Sequence, residues 1–288
     1  MHRVMIHPAT YDSCRSAVER AFDLFPQEIA NKKVVIKPNV LRMSTAEEHI
    51  VTHPALLRAV VEKVEQMSPA EIVVGDNPGV FSYGDNENSY GILPGAQKAR
   101  LHRIAGTPER FHEAIVEVFR LRIPDLFILD AVVGMEGNGP ASPDLREIGL
   151  VLAADNAVAL DGVVARMMGL DPGRLRFLQK AKALGLGDFD SQQVQIDGKM
   201  RTLPDFKLPP LGGEAIACNE AVQAVIKTRT LVRPQADPEL CTACGACVEH
   251  CPVSALTLAE DVPEVDADTC IACFCCQEIC PEKAMTLT

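Results

Sequence analysis

Two hydrophobic rhythms alternate along most of the chain. KKVVIKPNV (32–40) is a β-branched run that closes on a Lys-Pro-Asn turn. HPALLRAVVEKVEQM (53–67) repeats its apolar residues at helical spacing, and AEIVVGDNPG (70–79) is a second apolar run that ends in polar residues and glycine. Strand, helix and strand in that order predict a βαβ unit. PDLFILDAVVGMEGNGP (124–140) again runs from an apolar strand into a Gly-rich polar loop. GLVLAAD (149–155) predicts a buried strand, NAVALDGVVARMMG (156–169) a helix, and RLRFLQKAKALGLG (174–187) a further helix with glycine at its end. The predicted class is α/β, a mostly parallel sheet with flanking helices.

In such sheets ligands bind beyond the carboxyl ends of the strands. Those ends carry Lys37 and Asn39, then Asp76, then Asp130 followed by Glu136 and Asn138. Lys37 suits a small anionic ligand, a carboxylate or phosphate, and Asp76 or Glu136 can move a proton. The plainer reading is that Asp, Asn and Gly simply make good turns. SYGDNENSYGILPG (82–95), which contains Asn88, is too irregular for core, and His102 follows it as a further pocket candidate. His53, before Pro54, reads as a helix cap. No G-x-G-x-x-G, Walker A or G-x-S-x-G motif is present, so nicotinamide, nucleoside triphosphate and acyl-serine chemistry are not indicated.

Composition changes this picture at one end of the chain. The net charge is −11, but residues 237–288 hold ten Asp/Glu against one Lys, a net −9, which leaves −2 for residues 1–236. An acidic tail disfavours nucleic acid and favours a basic protein partner. The first residues, MHRVMIHPATYDSC, form no secretory h-region, and no stretch reaches the ~18–20 apolar residues of a membrane span, so the expected location is cytoplasmic. Of the eleven cysteines, nine lie between Cys241 and Cys280. Without an export signal, metal explains them better than disulfides do.

Those nine belong to a repeat. CTACGACVEHCPVSALTL (241–258) and CIACFCCQEICPEKAMTL (270–287) align without a gap at an offset of 29 residues. Each copy carries the C-x2-C-x2-C-x3-C-P run of bacterial-type ferredoxins, in which three cysteines of one run and the fourth of the other hold each [4Fe–4S] cluster. Carried onto this chain, the first cluster takes Cys241, Cys244, Cys247 and Cys280, and the second takes Cys270, Cys273, Cys276 and Cys251. Two zinc sites are the competing reading, but a zinc ribbon separates its two C-x2-C pairs by a long loop. Here three cysteines sit within seven residues, twice. Cys275 aligns with Ala246 and reads as a spare thiol beside the cluster, an alternative ligand being the other choice. Isolated Cys14 and Cys218 read as small buried hydrophobes. The domains expected are residues 1–230, α/β, and 231–288, a small α+β ferredoxin-like unit with two clusters.

VVIKPNV, VVGDNPG, NSYGILPGAQKARLH, MEGNGP, AADNAVALDGVVARMMGLDP and CIACFCCQEICP together resemble the family known as domain of unknown function 362, often fused to a C-terminal bacterial-type ferredoxin. The resemblance covers nearly the whole chain. It implies an α/β domain carrying clusters and names no reaction. Relatives usually have a longer, Lys-rich interval before the N-x-x-G-x-x-P-G loop and a Lys before its Asn; here the interval is short and Glu87 precedes Asn88, which leaves Lys37 and Lys98 as basic candidates. The expected function is single-electron relay through two [4Fe–4S] clusters, to a docked redox partner with a basic surface or to a ligand in the α/β domain. The alternative is a binding, scaffold or maturation protein whose clusters supply electrons to a partner or metal centre, or only stabilise the fold.

Overall fold

The computed structural model describes residues 1–40, 45–76, 108–137, 144–208, 233–251, 253–259, 261–267, 269–270 and 275–287. In chain order the first part forms β1 (His2–Pro8), α1 (Cys14–Leu24), β2 (Lys33–Ile36), α2 (Pro54–Gln66), β3 (Glu71–Val74), α3 (Pro108–Leu121), β4 (Phe127–Met135), β5 (Leu145–Ala154), α4 (Ala157–Met167), α5 (Arg176–Ala183) and β6 (Val194–Gly198). The C-terminal part forms β7 (Pro234–Ala236), α6 (Ala246–Glu249), β8 (Leu256–Ala259), β9 (Val262–Val265), α7 (Cys275–Ile279) and β10 (Met285–Leu287). Strands β1 to β6 belong to one compact unit and β7 to β10 to another.

The βαβ unit read from the hydrophobic pattern is present. β2 and β3 pair in parallel, Lys33 opposite Glu71 and Ile36 opposite Val74, with α2 as their crossover. The remaining strands of this unit form a sheet of order β4-β5-β1-β6. In it β4–β5 and β5–β1 are antiparallel and only β1–β6 is parallel, so the expectation of a mostly parallel sheet gives way to a mixed one. The physical reason lies in the connection. β5 begins ten residues after β4 ends, with no helix described between them, and neighbouring strands joined that closely run back on one another.

β1 is the centre of this sheet and is covered on both faces. Val4, Met5 and Ile6 are all at most 3% exposed. Because side chains alternate across a strand, Met5, Val151 and Ala153 face the layer of α1 and α2. Val4, Ile6, Leu150, Leu152 and Ala154 face the layer built on Ala159, Leu160 and Val163 of α4. Burying each large aliphatic side chain contributes about 1.5–3 kcal/mol, which fixes β1 in a place its few apolar residues alone do not announce.

Candidate functional site

The C-terminal unit folds as two copies of one pattern that have exchanged strands. At the 29-residue offset, β7 corresponds to β9, α6 to α7 and β8 to β10. β7 pairs with β10 and β8 with β9, both antiparallel, so each two-stranded sheet takes one strand from each side of the exchange. The registers correspond as well: Met285 stands opposite Ala236, as Leu256 stands opposite Val265. So do the backbone bonds, with Asp237 N–H donating to Ala284 O and Asp266 N–H to Ala255 O, both at 2.8 Å.

This exchange brings the fourth cysteine of the second run to the first. Cys241, Cys244, Cys247 and Cys280 line one cavity, together with Gly245 and Met285. Ala243 (φ +55°) and Gly245 (φ +75°), both in the left-handed region, turn the 241–247 loop sharply around that space. Gly245 adopts this conformation at no steric cost. The fourth cysteines are held alike: Ala255 N–H donates to Cys251 Sγ at 3.2 Å and Ala284 N–H to Cys280 Sγ at 3.3 Å. Burial, reinforced by the neighbouring Cys244 and Cys280 thiols, pushes the Cys247 thiol up. A bound cation favours the thiolate form instead.

The donor set fits an iron–sulfur cube better than a single ion. Among the described residues no group of three or more His, Cys, Asp or Glu side chains can hold one metal ion. Cys241, Cys244, Cys247 and Cys280 instead share the lining of one cavity. Cys247 and Cys276 hold corresponding buried positions in the small core, with Leu256 and Met285 and beside Cys251 and Cys280. Cys276, not Cys275, is therefore the structural counterpart of Cys247. Of the second ligand set, Cys251, Cys270 and Cys276 are described, and Cys273 lies outside the described residues.

In the first unit the structure brings Lys37, Asn39 and Asp76 together at the carboxyl ends of β2 and β3. Asp76, its side chain 7% exposed, pairs with Lys37 Nζ at 2.5 Å and accepts from Val40 N–H at 2.7 Å. Asn39 is tied to the segment before α2: its N–H donates to Thr52 Oγ1 at 2.9 Å and its Nδ2 to Ile50 O at 3.3 Å. These groups hold the chain leaving β2. Glu136 is buried too but has a different partner, Arg146 Nε at 2.7 Å. Asn88, His102 and Asn138 lie outside the described residues.

A second cluster escaped the sequence reading. The Tyr11 hydroxyl donates to Asp130 Oδ1 at 3.3 Å and lies 3.4 Å from His49 Nδ1. The His53 ring stacks on the Tyr11 ring with centroids 3.5 Å apart. His53 N–H donates to Asp130 Oδ2 at 3.0 Å, and its Nδ1 accepts from Ala55 N–H at 3.2 Å, which makes it the expected cap of α2. Burial, with the Asp130 charge adding to it, pushes the Tyr11 phenol up, so it keeps its proton. Burial pushes the His53 imidazole down. His53 carried a local signal, the His-Pro step at a helix start; Asp130, read from sequence as a strand end, lies instead within β4, and the residues it joins are far apart in sequence.

Residues 34–89 and 86–166 match the family described as domain of unknown function (DUF362), and residues 233–281 match a 4Fe-4S dicluster domain. A thylakoid-associated protein of Synechocystis sp. is 41% identical over 101 residues, which span 35% of this chain and 32% of that protein. No solved structure matches the chain.

Proposed function

The chain carries a DUF362 domain and ends in a 4Fe-4S dicluster domain, and from that premise we propose that it is an electron-transfer protein or oxidoreductase subunit that relays single electrons through two [4Fe–4S] clusters. The observation that carries the reading is the convergence of Cys241, Cys244, Cys247 and Cys280 on one cavity, within a fold whose strand registers repeat at the same offset as the cysteines. One-electron exchange is the chemistry such cubes supply when bound. The residues do the rest. Cys241, Cys244, Cys247 and Cys280 hold the first cluster, and Cys270, Cys273, Cys276 and Cys251 the second. The N–H groups of Ala255 and Ala284 stabilise negative charge on the fourth sulfur of each set and so tune its potential.

Residues 231–288 form the cluster domain in this reading and residues 1–230 the α/β domain. In this reading the protein is cytoplasmic, as cysteines spent on metal rather than on disulfides lead one to expect. Among the described residues no helix is long and apolar enough to cross a membrane. The thylakoid association of the Synechocystis relative makes cell fractionation the check on location.

Anaerobically purified protein is expected to hold about eight irons and about eight acid-labile sulfides per chain, the content of two cubes. Dithionite should bleach it and produce the paramagnetic signal of reduced cubes. Cys280→Ser should remove about four irons, whereas Cys275→Ser should leave the count unchanged. Stoichiometric zinc, or four irons in the unaltered chain, would sink the two-cluster reading. Clusters that no low-potential donor reduces would leave them a structural role only.

A further inference from the structure

We infer that the cleft between the starts of α1 and α2 binds a small oxyanion, a carboxylate or phosphate group, gripped by Arg58 and Arg15 beside the Tyr11 ring. The cleft has a volume of about 300 Å³ and is lined by Tyr11, Asp12, Arg15, Pro54 and Arg58 among others. That is the lower end of the range for small-molecule sites, roughly 300–1,000 Å³.

The hydrogen-bond donors of the lining select the ligand class. Arg58, exposed on the cleft wall, has no ion pair or hydrogen bond among the described residues. Arg15 pairs with Glu62, yet its side chain stays 57% exposed, leaving guanidinium donors for a ligand. With Glu62 counted beside Asp12, two guanidinium groups meet two carboxylates, so selection of an anion rests on the unpartnered N–H fork of Arg58 rather than on net charge. A guanidinium presents a planar fork of N–H donors that matches the two oxygens of a carboxylate or phosphate. The two helix starts add to this, since neither α1 nor α2 carries an acidic residue in its first turn to offset the partial positive charge there.

Tyr11 makes the wall compatible with an anion. Its hydroxyl is already directed to Asp130 and keeps its proton, so the cleft meets an uncharged ring rather than a phenolate. Lys37, the cation that sequence reading favoured for an anion, is paired with Asp76. The proposal rests on the first unit alone and does not depend on the electron-transfer reading.

Equilibrium dialysis of the full chain with its clusters, using radiolabelled inorganic phosphate and radiolabelled succinate as separate probes, tests it. At least one probe should bind saturably with a dissociation constant near or below roughly 1 mM, and Arg58→Gln should weaken that binding about tenfold or more. Arg58→Lys should fall between the two, because it restores charge without the fork. Arg15→Gln should weaken binding less than Arg58→Gln, since Glu62 already shares that guanidinium; it also reports independently should Arg58→Gln lose iron or structure. Binding of phosphate alone assigns a phosphate site, and binding of succinate alone a carboxylate site. No saturable binding of either probe, or binding that neither arginine change weakens, overturns the proposal.

Discussion

His53 caps α2 through an acceptor nitrogen, and that geometry requires a neutral ring. Nδ1 accepts from Ala55 N–H, so a proton on Nδ1 would end the bond. Burial acts in the same direction by holding the imidazole below its ordinary value, while the nearby Asp130 carboxylate opposes it. A histidine depressed in the folded chain contributes stability that is present above its unfolded pKa, ~6.5, and is lost as pH falls through the folded value. Between pH 7.5 and 5.5 the urea midpoint of the unaltered protein should therefore drop. His53→Asn keeps a side-chain oxygen at the cap and removes the titration, so its midpoint should fall less over the same interval. Equal losses in the two proteins would place the acid sensitivity elsewhere. The same ring shows why part of this site was illegible in sequence. The His-Pro step announced a cap, but Tyr11 lies 119 residues from Asp130 and 38 from His49, and no periodicity links residues so far apart.

At the scale of elements, close packing sets limits that composition does not show. Gly162 sits inside α4, where an added Cβ would lie 2.5 Å from Phe189 Cβ and 3.2 Å from its Cα. Glycine in a helix interior costs about 0.5–1 kcal/mol relative to alanine, whereas overpacking a well-filled contact costs about 1–3 kcal/mol. The second effect wins, and Gly162→Ala should destabilise the protein by about 1 kcal/mol in chemical denaturation. Because the clash is with Cβ and backbone, the loss should persist in a Phe189→Ala background. A stabilised Gly162→Ala protein would show that helix propensity governs this position. Elements with a clean rhythm were legible: the βαβ unit, β4, β5, α4 and α5 all stand where the hydrophobic pattern put them. β1 and α1 were not. Val4, Met5 and Ile6 make a triplet between polar flanks, and only pairing with β5 and β6 makes it the central strand. The mixed direction of the sheet was hidden for a related reason, since strand order and direction come from long-range pairing. The cysteine run was legible because each copy of the repeat restates the other. Lys37, Asn39 and Asp76 stand at the ends of β2 and β3, while the Lys37–Asp76 pair and the bonds of Asn39 to Thr52 and Ile50 appear only in three dimensions.

For the whole molecule the unequal distribution of charge bears on the proposed electron relay. Residues 237–288 carry a net −9 and residues 1–236 a net −2, and the proposed thiolate-ligated clusters would add negative charge to the C-terminal part. A surface so charged steers a basic partner into encounter, and steering between exposed charges weakens as the screening length falls from ~10 Å at 0.1 M salt to ~3 Å at 1 M. Stopped-flow reoxidation of the reduced clusters by such a partner should therefore slow as salt is added. Replacing Glu249 and Glu282 by Gln together should lower the rate at low salt and flatten its salt dependence, because a partner attracted by less charge loses less when that charge is screened. Reoxidation by a small neutral oxidant should show neither effect, which separates docking from any change in the clusters. A rate that ignores ionic strength and needs no added partner would defeat the docking reading and point to an acceptor within residues 1–236.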